Sequence, residues 1–343
     1  MRHDACVVIG GGAFGTCMAQ VYARNFKTVF VKVRSQDVYK GMKEQRQNLV
    51  YLPNFSLAEN LVPILEWSEL DTSLQNRSLD LLVSGLPTAA TRPFLQSNFD
   101  RLSGWLKQGM PFVSLSKGID PETLELPDDV IFQIFPTFRD QVVFLSGPSF
   151  AKEVMEQQIT AVSIASRSRE TMLRVAEMTD TDYFRCLPNY DVKGVLLGGA
   201  LKNSLAIGVG VLEGLGFNDN TRAAFITRGI NEMLRFGKVF NARPETFYGL
   251  SGMGDLILTT TGGLSRNKQF GLELASGRKA DDILKEQRTV VEGYRTAKAA
   301  KLLASRYHIR TTLFDGIYDI MYHDLEPRVL IAQIMSLPTR FES

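Results

Sequence analysis

The first fifteen residues constrain the fold of this chain more than any other segment. Residues 5–9 form a short apolar run rich in β-branched side chains, and a segment with helical character follows the glycines. Gly10, Gly12 and Gly15 have the spacing G-x-G-x-x-G. In a strand–turn–helix context such glycines permit a tight turn, the close approach of a pyrophosphate, and close packing of helix on strand. We predict a dinucleotide site here; a plain glycine turn is the alternative.

Strands and helical segments alternate along the first half of the chain, which predicts a parallel sheet with ligands at the carboxyl ends of its strands. The predicted strands cover residues 5–9, 28–33, 79–85, 111–116, 142–145 and 160–166. From Asp191 onward, helical periodicities dominate. The predicted fold class is therefore an α/β Rossmann-like dinucleotide-binding domain followed by an all-α substrate domain. A length of 343 residues accommodates two such domains, at 1–190 and 191–343.

Two basic residues, Lys32 and Arg34, stand at the end of the second predicted strand. Sites that prefer NAD usually carry an acidic side chain there for the ribose hydroxyls, whereas a guanidinium suits the 2′-phosphate of NADP. The predicted cofactor is NADP or NAD, with NADP favoured. The alternative is that both side chains only cover an exposed strand end.

One charge, Lys202, interrupts the almost wholly apolar stretch from Val195 to Leu212. The apolar neighbours leave little room for a polar helix face, so we predict that the lysine points into the protein. An unpaired charge there would cost several kcal/mol, so the lysine requires an anionic partner or ligand. A lysine held in this way can act as a general acid/base. A solvent-facing lysine with a snorkelling stem is the alternative.

Asp255 and Lys117 are the candidates for groups that assist Lys202. Asp255 is the only acid in the glycine-dense stretch 249–259, so we predict that it pairs with Lys202; a helix N-cap is the alternative. Lys117 falls at the carboxyl end of a predicted strand, where it can meet a substrate oxygen. Simple pairing with a nearby acid is the alternative for this lysine.

Two predicted helix starts carry further polar candidates. Ser265, Arg266 and Asn267 place hydroxyl, guanidinium and amide donors at one helix N-terminus, which favours an anion site suited to a phosphate. A surface cap with an exposed arginine is the alternative. Ser149 stands before a second predicted helix and has the pattern of a serine N-cap.

Composition argues against several other classes of function. Thirty-nine Lys and Arg against 37 Asp and Glu leave a formal net charge of +2, so no general attraction to nucleic acid or membrane is expected. Cys6, Cys17 and Cys186 lack metal-ligand spacing and the three histidines are scattered, so we predict no metal, and free thiols in a reducing compartment. Lys202 and Asn203 break the longest apolar run, so neither a signal peptide nor membrane insertion is expected, and the cytoplasm is the default location.

Motifs in both predicted domains occur in a common order and spacing. They are GGGAFGT at 10–16, YLP at 51–53, SLSKG at 114–118, GPSFAKE at 147–153, GALKN at 199–203, GLGFNDNTRAAFITRG at 214–229, GLSGMGDLILT at 249–259, LSRN at 264–267 and VVEG at 290–293. Together they resemble the NAD(P)-dependent glycerol-3-phosphate dehydrogenases, in particular the bacterial-type branch. The resemblance covers nearly the whole chain.

This resemblance implies interconversion of dihydroxyacetone phosphate and sn-glycerol 3-phosphate in phospholipid and glycerol metabolism, by a homodimer. It implies that Lys202 is the general acid/base and that Lys117 and Asp255 are further catalytic residues. The residues that it implies around the substrate are Lys117, Gly147, Ser149, Lys202, Asp255, Ser265, Arg266 and Asn267. Those that it implies along the cofactor are Gly10, Gly12, Ala13, Phe14, Gly15, Arg34, Lys117, Ala151, Arg266, Val290 and Glu292.

Two positions depart from the family pattern. The loop at 84–88 reads SGLPT, where the family commonly has valine or alanine before its proline, and Lys32 stands where an aromatic or small residue is common. Both departures bear on cofactor preference and not on the reaction.

Two rival readings remain open at the level of sequence. A β-hydroxyacid or ketopantoate-type reductase also combines a Rossmann domain with a helical domain that holds a catalytic lysine. A catalytically inactive dinucleotide sensor would keep the fold but have a broken catalytic set, whereas Lys117, Lys202 and Asp255 are all present.

Overall fold

The computed structural model describes residues 3–75, 77–120, 122–286 and 291–336. The chain forms two compact units. The first comprises Met1–Lys117 and Glu125–Leu196, and the second comprises Gly118–Leu124 and Leu197–Ser343. The division between Leu196 and Leu197 lies shortly after the predicted domain boundary at 190/191. The assignment of cofactor binding to 1–190 and of substrate binding to 191–343 stays a prediction.

An eight-stranded sheet forms the centre of the first unit. Its strands are β1 (His3–Ile9), β2 (Phe26–Lys32), β3 (Leu61–Ile64), β4 (Leu79–Ser84), β5 (Phe112–Ser114), β6 (Val142–Ser146), β7 (Thr160–Ala165) and β8 (Phe184–Asn189). The strand order is β3-β2-β1-β4-β5-β6-β7-β8. β1 lies between β2 and β4, so that Val8 stands beside Val31 on one side and Val83 on the other. All three valines are fully buried, as a strand covered on both faces requires.

The sheet is parallel except at one pair. β6 and β7 run antiparallel, and β7 and β8 are again parallel. The predicted parallel arrangement is therefore confirmed from β3 to β6, and the β6–β7 pair corrects it.

β3 and β8 are absent from the predicted strands. Each contains a proline, Pro63 or Pro188, and each forms an edge of the sheet. Proline has no N–H for the ladder and is tolerated at an edge, where one side of the strand needs no partner.

Eight α-helices connect these strands in the described part of the first unit. They are α1 (Ala13–Tyr22), α2 (Gln36–Glu44), α3 (Trp67–Ser73), α4 (Thr88–Ser97), α5 (Phe99–Leu106), α6 (Pro127–Ile134), α7 (Ala151–Met155) and α8 (Arg169–Thr179). Ser35 and Ser168 cap α2 and α8 by accepting backbone N–H bonds at 3.5 and 3.2 Å. Ser149 does not cap α7, because the chain enters this helix through Phe150, so that prediction is wrong.

The regular secondary structure described in the second unit is entirely helical, which confirms the predicted all-α character. A helix shared with the first unit, α9 (Val192–Gly214), is followed by α10 (Asp219–Val239), α11 (Pro244–Tyr248), α12 (Asp255–Thr261), α13 (Arg266–Ala275), α14 (Ala280–Glu286), α15 (Glu292–Tyr307), α16 (Leu313–Tyr322) and α17 (Pro327–Met335). One π-helical turn, Leu250–Gly254, leads directly into α12.

Glycines allow α9 and α13 to cross at close range. A Cβ atom on Gly210 would lie 2.1 Å from the carbonyl oxygen of Lys268, and one on Gly271 would lie 2.1 Å from that of Ile207. By length and composition alone, α9 is the one described helix that could cross a membrane. Its most apolar window is wholly buried in the protein, as in the core helix of a globular fold.

Candidate functional site

The glycine-rich loop between β1 and α1 has the geometry of a phosphate cradle. Gly10 has a φ of +108°, which an L side chain rarely adopts. A Cβ atom on Gly15 would lie 2.1 Å from the carbonyl oxygen of Gly10, so α1 can approach β1 only without that atom. A Cβ atom on Gly12 would meet no atom within 4 Å. The space beside Gly12 is thus open at the N-terminus of a ten-residue helix, where N–H groups favour an anion.

Two basic side chains lie at or just after the end of β2, but they differ in their surroundings. Arg34 is exposed and lies next to Ser35, the N-cap of α2. Lys32 instead donates to the carbonyl oxygens of Val33 and Leu65 at 3.1 and 2.7 Å, and its ammonium lies 5.4 Å from the ring centre of Trp67. Partial burial lowers the pKa of Lys32. Lys32 therefore joins the ends of β2 and β3, and only Arg34 presents its charge to solvent.

Lys117, Gly147 and Ser149 meet at the ends of β5 and β6. The carbonyl oxygen of Gly147 accepts from Lys117 Nζ at 3.1 Å and from Ser149 Oγ at 3.0 Å. The Lys117 ammonium also lies 5.5 Å from the ring centre of Phe14, in the first turn of α1. Ala151, which begins α7, and Ala13 are partly buried against the same core. The first unit thus brings together Phe14, Lys117 and the loop after β6.

Lys202 is buried and paired, as predicted. Only 7% of the residue is exposed, and Nζ lies 2.6 Å from Asp255 Oδ1. Asp255 begins α12 and is itself 2% exposed. A buried ion pair is tolerated when hydrogen bonds satisfy both charges, and removal of one partner leaves a costly buried charge.

Two residues that bind predicted site residues, Thr259 and Asn203, are missing from the predicted site. Thr259 Oγ1 accepts from Lys202 Nζ at 2.7 Å and donates to the backbone carbonyl of Asp255 at 2.6 Å. The signal for Thr259 is its position four residues after Asp255, on the same helix face. Asn203 Oδ1 accepts from Asn267 Nδ2 at 3.0 Å, a contact between two helices that sequence spacing does not reveal.

The predicted phosphate donors do open a helix, α13. Ser265 is its N-cap and accepts from the backbone N–H of Lys268 at 3.2 Å. Asn267 Oδ1 accepts from the backbone N–H of Gly293 at 3.0 Å, which links α13 to the start of α15. Arg266 as a whole residue is exposed to solvent. Neighbouring protein atoms partly desolvate its guanidinium and so lower its pKa, and the carboxylate of Glu292 opposes that shift. A guanidinium still stays protonated at neutral pH.

The described residues of the first unit fit a dinucleotide. The glycine-rich loop offers an open face beside Gly12, and Arg34 stands unburied after β2. Val290, also predicted along the cofactor, lies outside the described residues. Among the described residues, no group of three or more His, Cys, Asp or Glu side chains could hold a metal ion.

Comparisons with known proteins agree across both units. The family model described as the N-terminus of NAD-dependent glycerol-3-phosphate dehydrogenase matches residues 5–172, and the corresponding C-terminal model matches residues 191–332. Relatives named glycerol-3-phosphate dehydrogenase [NAD(P)+] from Solidesulfovibrio magneticus and Syntrophotalea carbinolica are each 38% identical, over 96% and 98% of this chain and 97% and 98% of their own lengths.

A solved structure matches equally broadly. The crystal structure of glycerol-3-phosphate dehydrogenase from Coxiella burnetii aligns with a TM-score of 0.87 and 30% identity, covering 98% of this chain and 99% of the other. With a strand–glycine–helix loop in one unit, a buried Lys202–Asp255 pair in the other, and relatives matched along both, this chain belongs to the NAD(P)-dependent glycerol-3-phosphate dehydrogenase family.

Proposed function

We propose that this protein catalyses the NAD(P)-dependent interconversion of dihydroxyacetone phosphate and sn-glycerol 3-phosphate. The observation that carries the proposal is the buried ammonium of Lys202, held 2.6 Å from Asp255 in a chain of this family. A buried lysine fixed by a carboxylate and a hydroxyl is prepared to exchange a proton with a substrate oxygen. The product is a precursor suited to phospholipid and glycerol metabolism.

The predicted catalytic residues and the residues at the start of α13 each have a chemical role in this proposal. Lys202 donates a proton to the carbonyl oxygen of the substrate in reduction and accepts it in oxidation, and Asp255 orients the ammonium. Lys117 helps to neutralise the negative charge that develops on that oxygen. Arg266 and Asn267, at the start of α13, hold the phosphate group, with Ser265 as the helix cap. When bound, the reduced nicotinamide supplies the hydride.

NADP is the favoured cofactor. Arg34 is exposed at the start of α2 and can meet a 2′-phosphate, whereas Lys32 is engaged by backbone carbonyls. The Arg34→Ala variant is expected to raise KM for NADPH about tenfold, which corresponds to roughly 1.4 kcal/mol of lost binding, with little effect on KM for NADH. Equal changes for both cofactors would contradict a role for Arg34 at the 2′-position.

The decisive experiment follows the loss of reduced-nicotinamide absorbance with dihydroxyacetone phosphate, for the wild type and for Lys202→Met. We expect turnover in the wild type and a loss of kcat of about 100- to 10,000-fold in the variant, the usual contribution of a general acid. Lys268→Met is the matched control, because Lys268 is another lysine of the second unit that is 5% exposed and paired with a carboxylate, Glu213, at 2.8 Å.

Other outcomes of this assay would favour the alternatives. Turnover with a ketoacid such as ketopantoate, but not with the phosphorylated triose, would assign a related reductase. Measurable NADPH binding without turnover of any such substrate would assign a catalytically inactive dinucleotide sensor. A loss of activity in Lys268→Met as large as in Lys202→Met would remove the special role given to Lys202.

The remaining parts of the proposal concern assembly and location. We propose a homodimer that acts in the cytoplasm, without membrane insertion and without a nucleic-acid partner. The homodimer rests on the family resemblance alone. The net charge of +2 supports the absence of a nucleic-acid partner, and three buried free cysteines support a reducing compartment, since burial raises the pKa of each thiol and keeps it unreactive. Sedimentation equilibrium measures the oligomeric state, and a monomer at micromolar concentration would contradict the dimer.

A further inference from the structure

A buried asparagine, Asn48, binds the glycine-rich loop from outside the G-x-G-x-x-G motif. Its side chain is wholly inaccessible to solvent. Nδ2 donates to the carbonyl oxygen of Gly11 at 2.8 Å and to Thr16 Oγ1 at 2.8 Å. Oδ1 accepts from the backbone N–H of Tyr51 at 3.2 Å. One amide therefore connects the loop, the first turns of α1 and the segment that follows α2.

The contact with Gly11 determines how the loop faces a ligand. In a trans peptide the C=O of one residue and the N–H of the next point in opposite directions. Because the Gly11 carbonyl points at the buried amide of Asn48, the N–H of Gly12 is turned away from it. Gly12 is the residue beside which the loop is open, and it is the N-cap of α1.

The bond to Thr16 fixes the same loop from its other end. Thr16 is fully buried and its backbone N–H donates to the Gly12 carbonyl at 2.9 Å, so it belongs to the first helical turn. Neither Gly11 nor Gly12 has a side chain that could hold the loop by packing. The amide of Asn48 supplies that restraint by hydrogen bonds, which a buried and fully partnered polar group can do without a net penalty.

We propose that Asn48 is a positioning residue for the dinucleotide, which sets the Gly11–Gly12 peptide so that the loop is prepared for the pyrophosphate. The inference rests on the proposed cofactor binding of the first unit and adds a residue outside its glycine motif. A preorganised loop loses less conformational freedom on binding. We therefore expect Asn48 to affect the affinity for the cofactor and not the rate of the chemical step.

Three substitutions separate positioning from general stability. Asn48→Asp keeps the acceptor for the Tyr51 N–H but removes both hydrogen atoms that bind Gly11 and Thr16. Thr16→Val keeps the shape of Thr16 and removes only the hydroxyl. Asn60→Ala is the matched control, because Asn60 Nδ2 also donates to two backbone carbonyls of the first unit, those of Ala23 and Phe26, at 3.0 and 2.8 Å.

The measurement is the Kd for NADPH, by titration of tryptophan fluorescence, together with the thermal midpoint of each ligand-free variant. We expect Asn48→Asp to raise Kd about 10- to 100-fold, because a carboxylate would face the Gly11 carbonyl, and Thr16→Val to raise it less. Asn60→Ala is expected to lower the thermal midpoint but to leave Kd within about twofold of the wild type. In turnover, KM for NADPH should rise in Asn48→Asp while kcat at saturation stays near the wild-type value.

Unchanged NADPH affinity in both Asn48→Asp and Thr16→Val would overturn the inference, as would an equal loss of affinity in Asn60→Ala. If Asn48→Asp does not fold, the Kd of Thr16→Val decides by the same criterion. Failure of the wild type to bind NADPH or NADH would refute the proposed cofactor site itself, which is a different outcome.

Discussion

At the scale of single residues, Lys202 and Asp255 illustrate how a buried charge is held in place. Both side chains are at least nine-tenths buried, and Thr259 contributes a hydroxyl to the same ammonium. A buried ion pair contributes little net stability, because desolvation opposes the attraction, yet removal of one partner alone is costly. Net stability therefore gives little reason to keep such a pair in a helical core.

This reasoning predicts a double-mutant cycle. Asp255→Leu is expected to lower the free energy of unfolding by about 3–5 kcal/mol, because the Lys202 ammonium loses its carboxylate. Lys202→Met combined with Asp255→Leu should recover much of that loss, since neither charge is then buried. Urea unfolding at neutral pH measures both values. A double variant as unstable as the sum of the single variants would contradict the pairing.

At the scale of elements, two glycines of the glycine-rich loop have different surroundings, one in close packing and one beside open space. Gly15 is required by packing, because a side chain there would collide with the backbone of Gly10, whereas Gly12 faces open space. The motif therefore contains one glycine that close packing requires and one that leaves the space open where we propose that the cofactor binds. The spacing alone does not distinguish the two kinds.

Alanine at these two positions should affect different properties, namely stability at Gly15 and NADPH binding at Gly12. Gly15→Ala is expected to destabilise the protein by about 1–3 kcal/mol, the usual cost of overpacking. Gly12→Ala, at a φ of −72°, should change stability by less than about 0.5 kcal/mol yet weaken NADPH binding, because the methyl group occupies the open face. Thermal unfolding and NADPH titration measure the two effects. A Gly12→Ala variant with wild-type affinity would show that the cofactor does not approach this face.

Another element, α16, depends on a carboxylate from a different helix. Glu232, on α10, is 3% exposed and accepts backbone N–H bonds from Thr312, Leu313 and Phe314. The N–H groups at the start of a helix have no partner within the helix. Here the side chain of Glu232, from another helix, accepts them in place of a local N-cap. Burial raises the pKa of Glu232, and the N–H bonds oppose that shift only in part.

The raised pKa predicts a pH dependence of stability. The folded protein binds the Glu232 proton more tightly than the unfolded chain, so this contribution is present below the ordinary glutamate pKa and is lost as pH rises through the folded value. Glu232→Gln lacks this titration and should be less stable by about 1–3 kcal/mol, since an amide offers fewer acceptors to the N–H groups. The stability difference between the two proteins should narrow from pH 4.5 to pH 7 in urea unfolding. A difference that widens over this range would contradict the direction of the shift.

At the scale of the whole molecule, the two compact units carry different parts of the proposed reaction. The glycine-rich loop, Arg34 and Lys117 belong to the first unit, and Lys202, Asp255 and the start of α13 belong to the second. Both tryptophans of the chain, Trp67 and Trp105, lie in the first unit. Their fluorescence therefore reports on that unit by itself.

A cofactor bound by the first unit should stabilise that unit selectively. With NADPH at 100 times its Kd, binding adds about 2.7 kcal/mol to the free energy of unfolding. The thermal midpoint detected by tryptophan fluorescence should rise accordingly, whereas CTP at the same concentration, as a phosphate-bearing control, should not raise it. An unchanged midpoint with saturating NADPH would argue against a site in this unit.

The sequence by itself determined the α/β-then-α order of the fold, the glycine turn and the burial of Lys202. These features depend on short-range patterns, namely a run of β-branched residues, a fixed glycine spacing and a charge without a polar stripe around it. The partner of Lys202 was predictable because Asp255 is the only acid in its motif. By contrast, the prolines in β3 and β8 hid two strands whose place at the sheet edges makes proline acceptable.

Only the tertiary structure decided which groups meet across long stretches of chain. Asn48 with Gly11, Asn203 with Asn267, and Glu232 with the start of α16 are pairs far apart in sequence. It also decided that Lys32 is held by backbone carbonyls while Arg34 stays exposed, although the two are only two residues apart at the end of β2. The physical reason is that a hydrogen bond depends on distances of about 3 Å, which packing of whole elements sets and local periodicity does not.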